Sequence, residues 1–317
     1  SMYYYVSIII PHYYSPELLK VLLDSIPDKP DIQVIVVDDN STKKQDIYES
    51  VKTAYKNRVE FYVNQTGDQS AGACRNVGID HATGKWLLFA DADDYFMPGM
   101  YEMISDYFDS AYNQIMFDIT SIYLDTGKLA ERHIIHEKRV KDYLEDPTRK
   151  NYIIAMKEFG PWAKLTRRSM VEEHHIRYSP TRHHNDMFFS VVSAFYSDPV
   201  KIDDRKLYCI TRSEGSLTTL LTERAFLCHA SEYGKCYEFC KKHYNKPDVN
   251  NMGYNRLFFY HKGIQRKLKL KSIWKANGLL AKRRVPVISK NLMNPCYLFR
   301  QLYNNYVEWQ KEKGYMK

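Results

Sequence analysis

The chain has 317 residues, 44% of them hydrophobic and 26% charged, with a formal net charge of +8. This is the composition of an ordinary globular protein, long enough for one large α/β domain or a catalytic domain with an appendage. Its six cysteines are too few and too scattered for a disulfide framework. No apolar run approaches the roughly 18 residues that cross a bilayer, and no positive flank precedes an apolar segment at the start. The chain is therefore expected to stay in the cytoplasm. Ser1 before Met2 reads as a tag remnant and is set aside.

In chain order, YYYVSIII (residues 3–10) is a continuous apolar, β-branched run ended by Pro11, the pattern of a strand buried on both faces. SPELLKVLLDSI (15–26) begins with an N-cap Ser and a Pro at the first helical position, and spaces Leu18, Leu22 and Ile26 as a helix does. IQVIVV (32–37) reads as a second strand, 46–55 as a helix and VEFYV (59–63) as a third strand. The small-residue segment AGACRNVGIDHA (71–82) reads as a helix, and KWLLFA (85–90) as the fourth strand. Strands alternating with helices at this spacing imply right-handed crossovers and a mostly parallel sheet.

Ligands bind such sheets outside the carboxyl ends of the strands. Three of those ends carry polar residues: Pro11-His12-Tyr13, Asp38-Asp39 and Asp91-Ala92-Asp93-Asp94. Carboxylates that converge on one crevice resist joint ionisation unless a cation holds them. Mg²⁺ or Mn²⁺ suits such oxygen ligands and leaves coordination sites open for phosphate. Each motif alone also fits a turn or a helix cap. A response-regulator receiver fails on strand order, because VSIII already fills the first strand. A haloacid-dehalogenase phosphatase fails because Asp94, not Thr or Val, follows the second acid.

The set P-H-Y-Y (11–14), V-V-D-D-N-S-T (36–42), A-G-A-C-R-N-V-G-I (71–79), A-T-G-K-W-L-L-F-A-D-A-D-D (82–94), G-P-W-A-K-L (160–165), N-D-M-F-F (185–189) and G-S-L-T-T (215–219) occurs in this order. Together these segments resemble the landmarks of glycosyltransferase family 2, the inverting enzymes of the Rossmann-like GT-A fold found in bacterial polysaccharide assembly. The resemblance implies that Asp39 binds the uracil ring and that Pro11 and Tyr13 line the base pocket. The family usually has Asn where Tyr14 stands. Arg75 matches an Arg that reaches toward the nucleotide. Asp93 matches the direct metal ligand, Asp91 a ribose or metal contact, and Asp94 an acid that shapes the acceptor side. Asp186 matches the general base, with Asn185 in place of the family's Glu. Arg212 and Ser216 fall where the family has a lid over the diphosphate.

Each assignment has a plainer reading beside it. Asp186 or Asn185 can simply cap the helix DMFFSVVSAFY (186–196). Trp162 can stack on an acceptor sugar or pack in the core. His183 and His184 read as solvated loop residues, and the 27 tyrosines as compositional bias rather than sugar stacking. Cys236, Cys240 and His243 can share a helix face, yet their spacing matches no common zinc motif.

Residues 241–317 hold 18 Lys and Arg against three acids, a charge of +15 that leaves −7 for residues 1–240. The boundary between a GT-A domain and a helical, basic C-terminal region is placed at 220/221. In that region Leu257, Tyr260, Ile264 and Leu268 form an apolar stripe beside Arg266, Lys267, Lys269 and Lys271, which fits either an anionic membrane surface or packing on the catalytic domain. No nucleic-acid motif accompanies the basic tail. The sequence thus points to a metal-dependent inverting transferase that moves a sugar from a nucleotide diphosphate, UDP favoured, to a glycan or lipid-linked glycan hydroxyl. The alternatives are a sugar-1-phosphate nucleotidyltransferase, for which PHYYSPE lacks a glycine-rich phosphate loop, and a binding protein without activity.

Overall fold

Runs of β-branched residues favour extended backbone and pack well on a pleated surface covered on both sides. In the computed structural model, which describes residues 3–146, 157–213, 222–296, 299, 302, 303 and 306, the first such run forms strand β1 (Val6–His12). Val6, Ile8, Ile9 and Ile10 are fully buried there. Burial of each isoleucine contributes about 1.5–3 kcal/mol. The strand runs through Pro11 rather than stopping before it. Ile9 accepts a hydrogen bond from Ala90 N, and Pro11, two residues on, reaches the side where the neighbouring strand has ended, so its missing N–H costs the ladder nothing.

β2 (Ile32–Asp38) and β4 (Trp86–Phe89) flank β1, and β3 (Val59–Val63) lies outside β2, all parallel. Helices α1 (Pro16–Asp24), α2 (Gln45–Tyr55) and α3 (Ala71–His81) make the crossovers. Beyond these four strands the sheet is mixed. β7 (Lys164–Arg167) runs antiparallel to both β4 and β6 (Gln114–Tyr123). β8 (Lys201–Arg212) is parallel to β6, and the two-residue β5 (Tyr95–Phe96) is antiparallel to β8. The eight-stranded order is β3-β2-β1-β4-β7-β6-β8-β5. Helices α4 (Met100–Ser105), α5 (Ile134–Glu145), α6 (Arg168–Glu173) and α7 (Met187–Tyr196) complete this part of the chain. Register places His12 opposite Asp38 and Ile9 opposite Phe89, so the carboxyl ends of β1, β2 and β4 open on one edge.

The chain divides into two compact units, Ser1–Gly215 and Ser216–Lys317. The second is helical: α8 (Glu223–His243), α9 (Lys246–Met252), α10 (Leu257–Gln265) and α11 (Leu270–Lys282). Phe226, Phe259, Ile273, Ala276 and Leu280 form its core. Gly263 allows the close approach of α10 and α11, since a Cβ there would lie 2.5 Å from Ile273 Cγ1. The stripe at residues 257–268 is not part of this unit's own core, as a face available for outside contact would not be. Phe259 and Gly263 point inward, Leu257 and Ile264 are exposed, and Leu268 lies beyond the helix end. Cys236 and Cys240 are buried in α8, the latter with its thiol pushed up to about 12 by burial. Among the described residues no helix is long and apolar enough to cross a membrane.

Candidate active site

The polar residues at the strand ends divide into a scaffold and a cleft. Asp38 is scaffold: its Oδ1 takes His12 Nδ1 at 2.7 Å and Ser41 Oγ at 2.7 Å, and its Oδ2 takes Ser41 N at 2.8 Å. Burial works to raise this carboxyl, but the bonds from His12 and Ser41 outweigh it and hold the pKa below the usual range. The clamp fixes the loop after β2, which carries Asp39. Asp39 is buried, with Oδ1 held by Asn64 Nδ2 at 2.8 Å.

Asp39 lines a cavity of about 300 Å³ with Pro11, Tyr13, Arg75, Asp91 and Asp93. Tyr13 stacks on Tyr14 at a centroid separation of 3.9 Å. Tyr14 has φ +56°, with its N–H donated to Ser41 Oγ and its hydroxyl bonded to Thr42 Oγ1. Asparagine tolerates this left-handed conformation best among residues with a side chain, which accounts for the residue usual in the resembled family.

A second cavity, of about 420 Å³, is lined by Trp162, His184, Asn185, Asp186, Arg132 and Glu158, among others. Ala71, Arg75 and Asp91 belong to both walls, so the cavities adjoin as two lobes of one cleft. Asp93 lies in one lobe and Asp186 in the other.

Arg75 is the hinge of this arrangement. Its Nη2 donates to Asp91 Oδ1 at 2.7 Å and its Nη1 to Asn185 Oδ1 at 2.9 Å, with the guanidinium 5.1 Å from the Tyr178 ring. It is 4% exposed, and its two terminal nitrogens are bonded within the wall shared by the two lobes. Small residues in α3 permit this packing, because a Cβ on Gly72 would lie 2.2 Å from Ser179 O and 2.8 Å from Asn185 Cβ.

Asp186 occupies the N-cap position of α7, yet its side chain makes no capping hydrogen bond. The carboxylate is thus left for the cavity it lines. Burial raises its pKa, Arg75 opposes the rise, and Asp91 adds to it. The net upward shift matters for a proton acceptor, since a carboxylate shifted upward is the stronger base. Lys164, buried beside this region, has its amine pushed down to about 8 by burial, against the charges of Glu158 and Asp186.

Asp93 is exposed by surface, but surrounding protein and then the Asp91 charge raise its pKa, with Arg132 opposing. Asp94, expected on the acceptor side, lines neither lobe. It is buried, with Oδ2 taking the Tyr208 hydroxyl at 2.8 Å and Oδ1 taking Thr211 N at 2.9 Å. Burial and the neighbouring acids push its pKa up to about 8. Tyr208 Oη also accepts Asp91 N at 2.8 Å, so the acidic turn is pinned to β8.

Trp162 combines its two readings. One face lies near-parallel to the Tyr208 ring, 5.9 Å away, while the side chain lines the larger lobe. Gly160 makes room for it, since a Cβ would come within 2.5 Å of the indole. His184 lines the same lobe with φ +53°. Arg212 ends β8 and Ser216 lies outside the described residues. Sequence reasoning missed Arg132, Glu158, Lys164, Tyr178 and Tyr208. Lys164 had a signal in G-P-W-A-K-L; the others sit in segments with no local pattern.

A metal's fit can be judged on the donor set. Among the described residues no group of three or more His, Cys, Asp or Glu side chains could enclose an ion by itself. One or two carboxylates are enough for Mg²⁺ or Mn²⁺ when substrate phosphates complete the shell. Asp93, with Asp91 adjoining it, fits that pattern.

Strands parallel at one edge, mixed beyond, and acids gathered at their ends define a GT-A fold. Staphylococcus aureus TarS 1-349 in complex with UDP-GlcNAc matches it with a TM-score of 0.67 at 19% identity, covering 98% of this chain and 92% of that one. A mannosyltransferase from Pyrobaculum calidifontis, in complex with GDP-Man and Mn²⁺, matches with a TM-score of 0.55 at 13% identity, covering 99% and 85%. The family model for glycosyl transferase family 2 matches residues 7–174, and the chain belongs to that family. The Bacillus subtilis protein EpsH, named as a glycosyltransferase, is 28% identical over 213 residues, 64% of this chain and 59% of its own length. The poly(ribitol-phosphate) beta-glucosyltransferase of Bacillus spizizenii is 42% identical over 97 residues, 28% of this chain and 15% of its own. The chain spans less than two thirds of the length of either relative.

Proposed function

We propose that this protein moves a sugar from a nucleotide diphosphate, UDP favoured, to a hydroxyl group by a single inverting displacement. The observation that carries the reading is Asp186, a carboxylate at a helix N-cap position that caps nothing and lines a lobe adjoining the one with Asp39 and Asp93. Pro11, Tyr13 and Asp39 hold the base, and the diphosphate lies toward Asp91 and Asp93. Asp186 takes the proton of the acceptor hydroxyl as its oxygen attacks the anomeric carbon from the face opposite the departing diphosphate. Trp162 offers a flat apolar surface to the acceptor. A divalent ion held by Asp93 and Asp91 would neutralise the charge that the leaving diphosphate develops.

The acceptor is a glycan or lipid-linked glycan hydroxyl, and the relative named for poly(ribitol-phosphate) supports a phosphodiester-linked polyol among such chains. Arg212, at the end of β8, offers a guanidinium to the diphosphate; Ser216 lies outside the described residues. The exposed Leu257, Ile264, Leu270 and Trp274, set among lysines of the second unit, support peripheral contact with the inner face of the cytoplasmic membrane.

A thermal-shift panel of nucleotide sugars with and without Mn²⁺, followed by a transfer assay with the donor that binds, tests the proposal. Stabilisation by one UDP-sugar that grows with Mn²⁺ is the expected result. No stabilisation by any nucleotide sugar in either condition would remove it.

A further inference from the structure

Two helix C-termini meet at a cavity in the second unit. α8 ends with Lys241 and Lys242, and α11 with Lys282, followed by Arg283 and Arg284; with Glu238 these bases line a concavity of about 380 Å³. α8 and α11 pack against each other, so the convergence follows from the unit's own core. Lys241, Lys242, Lys282 and Arg284 are exposed. Glu238 pairs with Arg283, and among the described residues no other acid lines the cavity.

Lysines at a helix C-terminus ordinarily complement the helix dipole. One or two would serve that purpose at each end. Arg284 goes beyond it. Its N–H bonds to Ala281 O at 2.9 Å, and Val285 N bonds to Leu280 O at 3.1 Å, the double closure at which a left-handed residue follows a helix. Glycine is the unstrained residue there, yet Arg284 holds φ +60°. An arginine kept at a strained position sets a guanidinium at the rim of the cavity. Arg283 is placed in turn by Gly234, where a Cβ would lie 2.5 Å from Arg283 Cδ.

We propose that this cavity binds the phosphodiester groups of an anionic polymer, the acceptor chain; this rests on the phosphate-bearing acceptor proposed above. Lysine ammonium groups and a forked guanidinium suit tetrahedral phosphate oxygens. A concave site favours a flexible chain over a flat bilayer. The apolar residues suited to a bilayer, Leu270 and Trp274, belong to the other end of α11. From Trp274 to Lys282 is eight residues, about 12 Å along the helix.

The test uses the full chain, with purified poly(ribitol phosphate) as one probe and phosphatidylglycerol vesicles as another, at low and high salt. The variant Lys242→Ala/Lys282→Ala/Arg284→Gly is expected to bind the polymer about tenfold more weakly at low salt, three exposed charges at roughly half a kcal/mol each. Arg284→Gly alone is expected to lose a smaller share of affinity with an equal or higher Tm, which separates binding from folding. Polymer affinity of both variants equal to wild type, or a wild type that binds no polymer, overturns the proposal. So does vesicle binding that falls in the variants while polymer binding does not, which would assign the cavity to lipid headgroups. UDP affinity is read in parallel: its absence in the wild type counts against the transferase reading alone.

Discussion

Arg75 and Asp91 form a 2.7 Å ion pair that is the common wall of the two lobes. The same guanidinium holds Asn185, the residue before Asp186, so one side chain links the acidic turn after β4 to the start of α7. Arg75 is buried while the Asp91 side chain is 32% exposed, so loss of the guanidinium leaves Asn185 Oδ1 without its donor and Asp91 partly open to water. Arg75→Met is expected to lower stability by about 1–3 kcal/mol, read by chemical denaturation. Arg75→Lys should recover stability only in part, because an ammonium cannot bridge both acceptors as the fork does. A lysine variant as stable as wild type would show that the bridge contributes little.

Asp186→Asn keeps the shape of the larger lobe and removes the proton acceptor. Transfer is expected to fall about 10²–10⁴-fold while UDP affinity, measured by calorimetry, stays at the wild-type value. Unchanged turnover would take the base role from Asp186.

Asp93→Ala is expected to abolish the enhancement of UDP affinity by Mn²⁺ and to leave the metal-free affinity close to wild type. An enhancement that survives the substitution would take Asp93 off the ligand list.

Gly72→Ala tests the close approach of α3 to the segment before α7. With its Cβ 2.2 Å from Ser179 O, the new methyl must push that backbone and Asn185 aside. The expected cost is about 1–3 kcal/mol, with a loss of transfer larger than the loss of UDP affinity. Gly278→Ala is the contrasting case. Nothing lies within 4 Å of its Cβ position in α11, so a gain of about 0.5–1 kcal/mol is expected from helix propensity.

Lys164 gives a pH dependence with a definite sign. Its amine is pushed down to about 8 by burial, so the folded chain binds fewer protons than the unfolded chain above that pH. Stability from this group therefore rises from about pH 8 to about pH 10.4, where the unfolded amine also deprotonates, by on the order of 3 kcal/mol in all. Lys164→Met should flatten the rise, measured as unfolding free energy across the same window. A slope equal in both proteins would place the titration elsewhere.

The first half of the sheet was legible because its information is local. Ile8 to Ile10, Val34 to Val37 and Trp86 to Phe89 are continuous apolar runs, and parallel strands covered on both faces admit little else. The later strands were not: β5 has two residues and β7 four, and β6 and β8 mix polar with apolar positions. Their pairing depends on neighbours far along the chain. The stripe at Leu257 and Ile264 was legible as an apolar face, but periodicity does not say what covers it.

Sequence alone determined the alternation of strands and helices and the gathering of acids at the strand ends, because side-chain shape and polarity act over a few residues. Tertiary structure decided which acids line the cleft and which are bound into the frame. Asp38 and Asp94 differ from Asp39 and Asp93 in nothing the chain order reveals, yet His12 and Ser41 consume the first and Tyr208 and Thr211 the second. Those partners come from 3 to 117 residues away. A carboxylate's role is set by what packs around it, and only the folded chain brings that packing together.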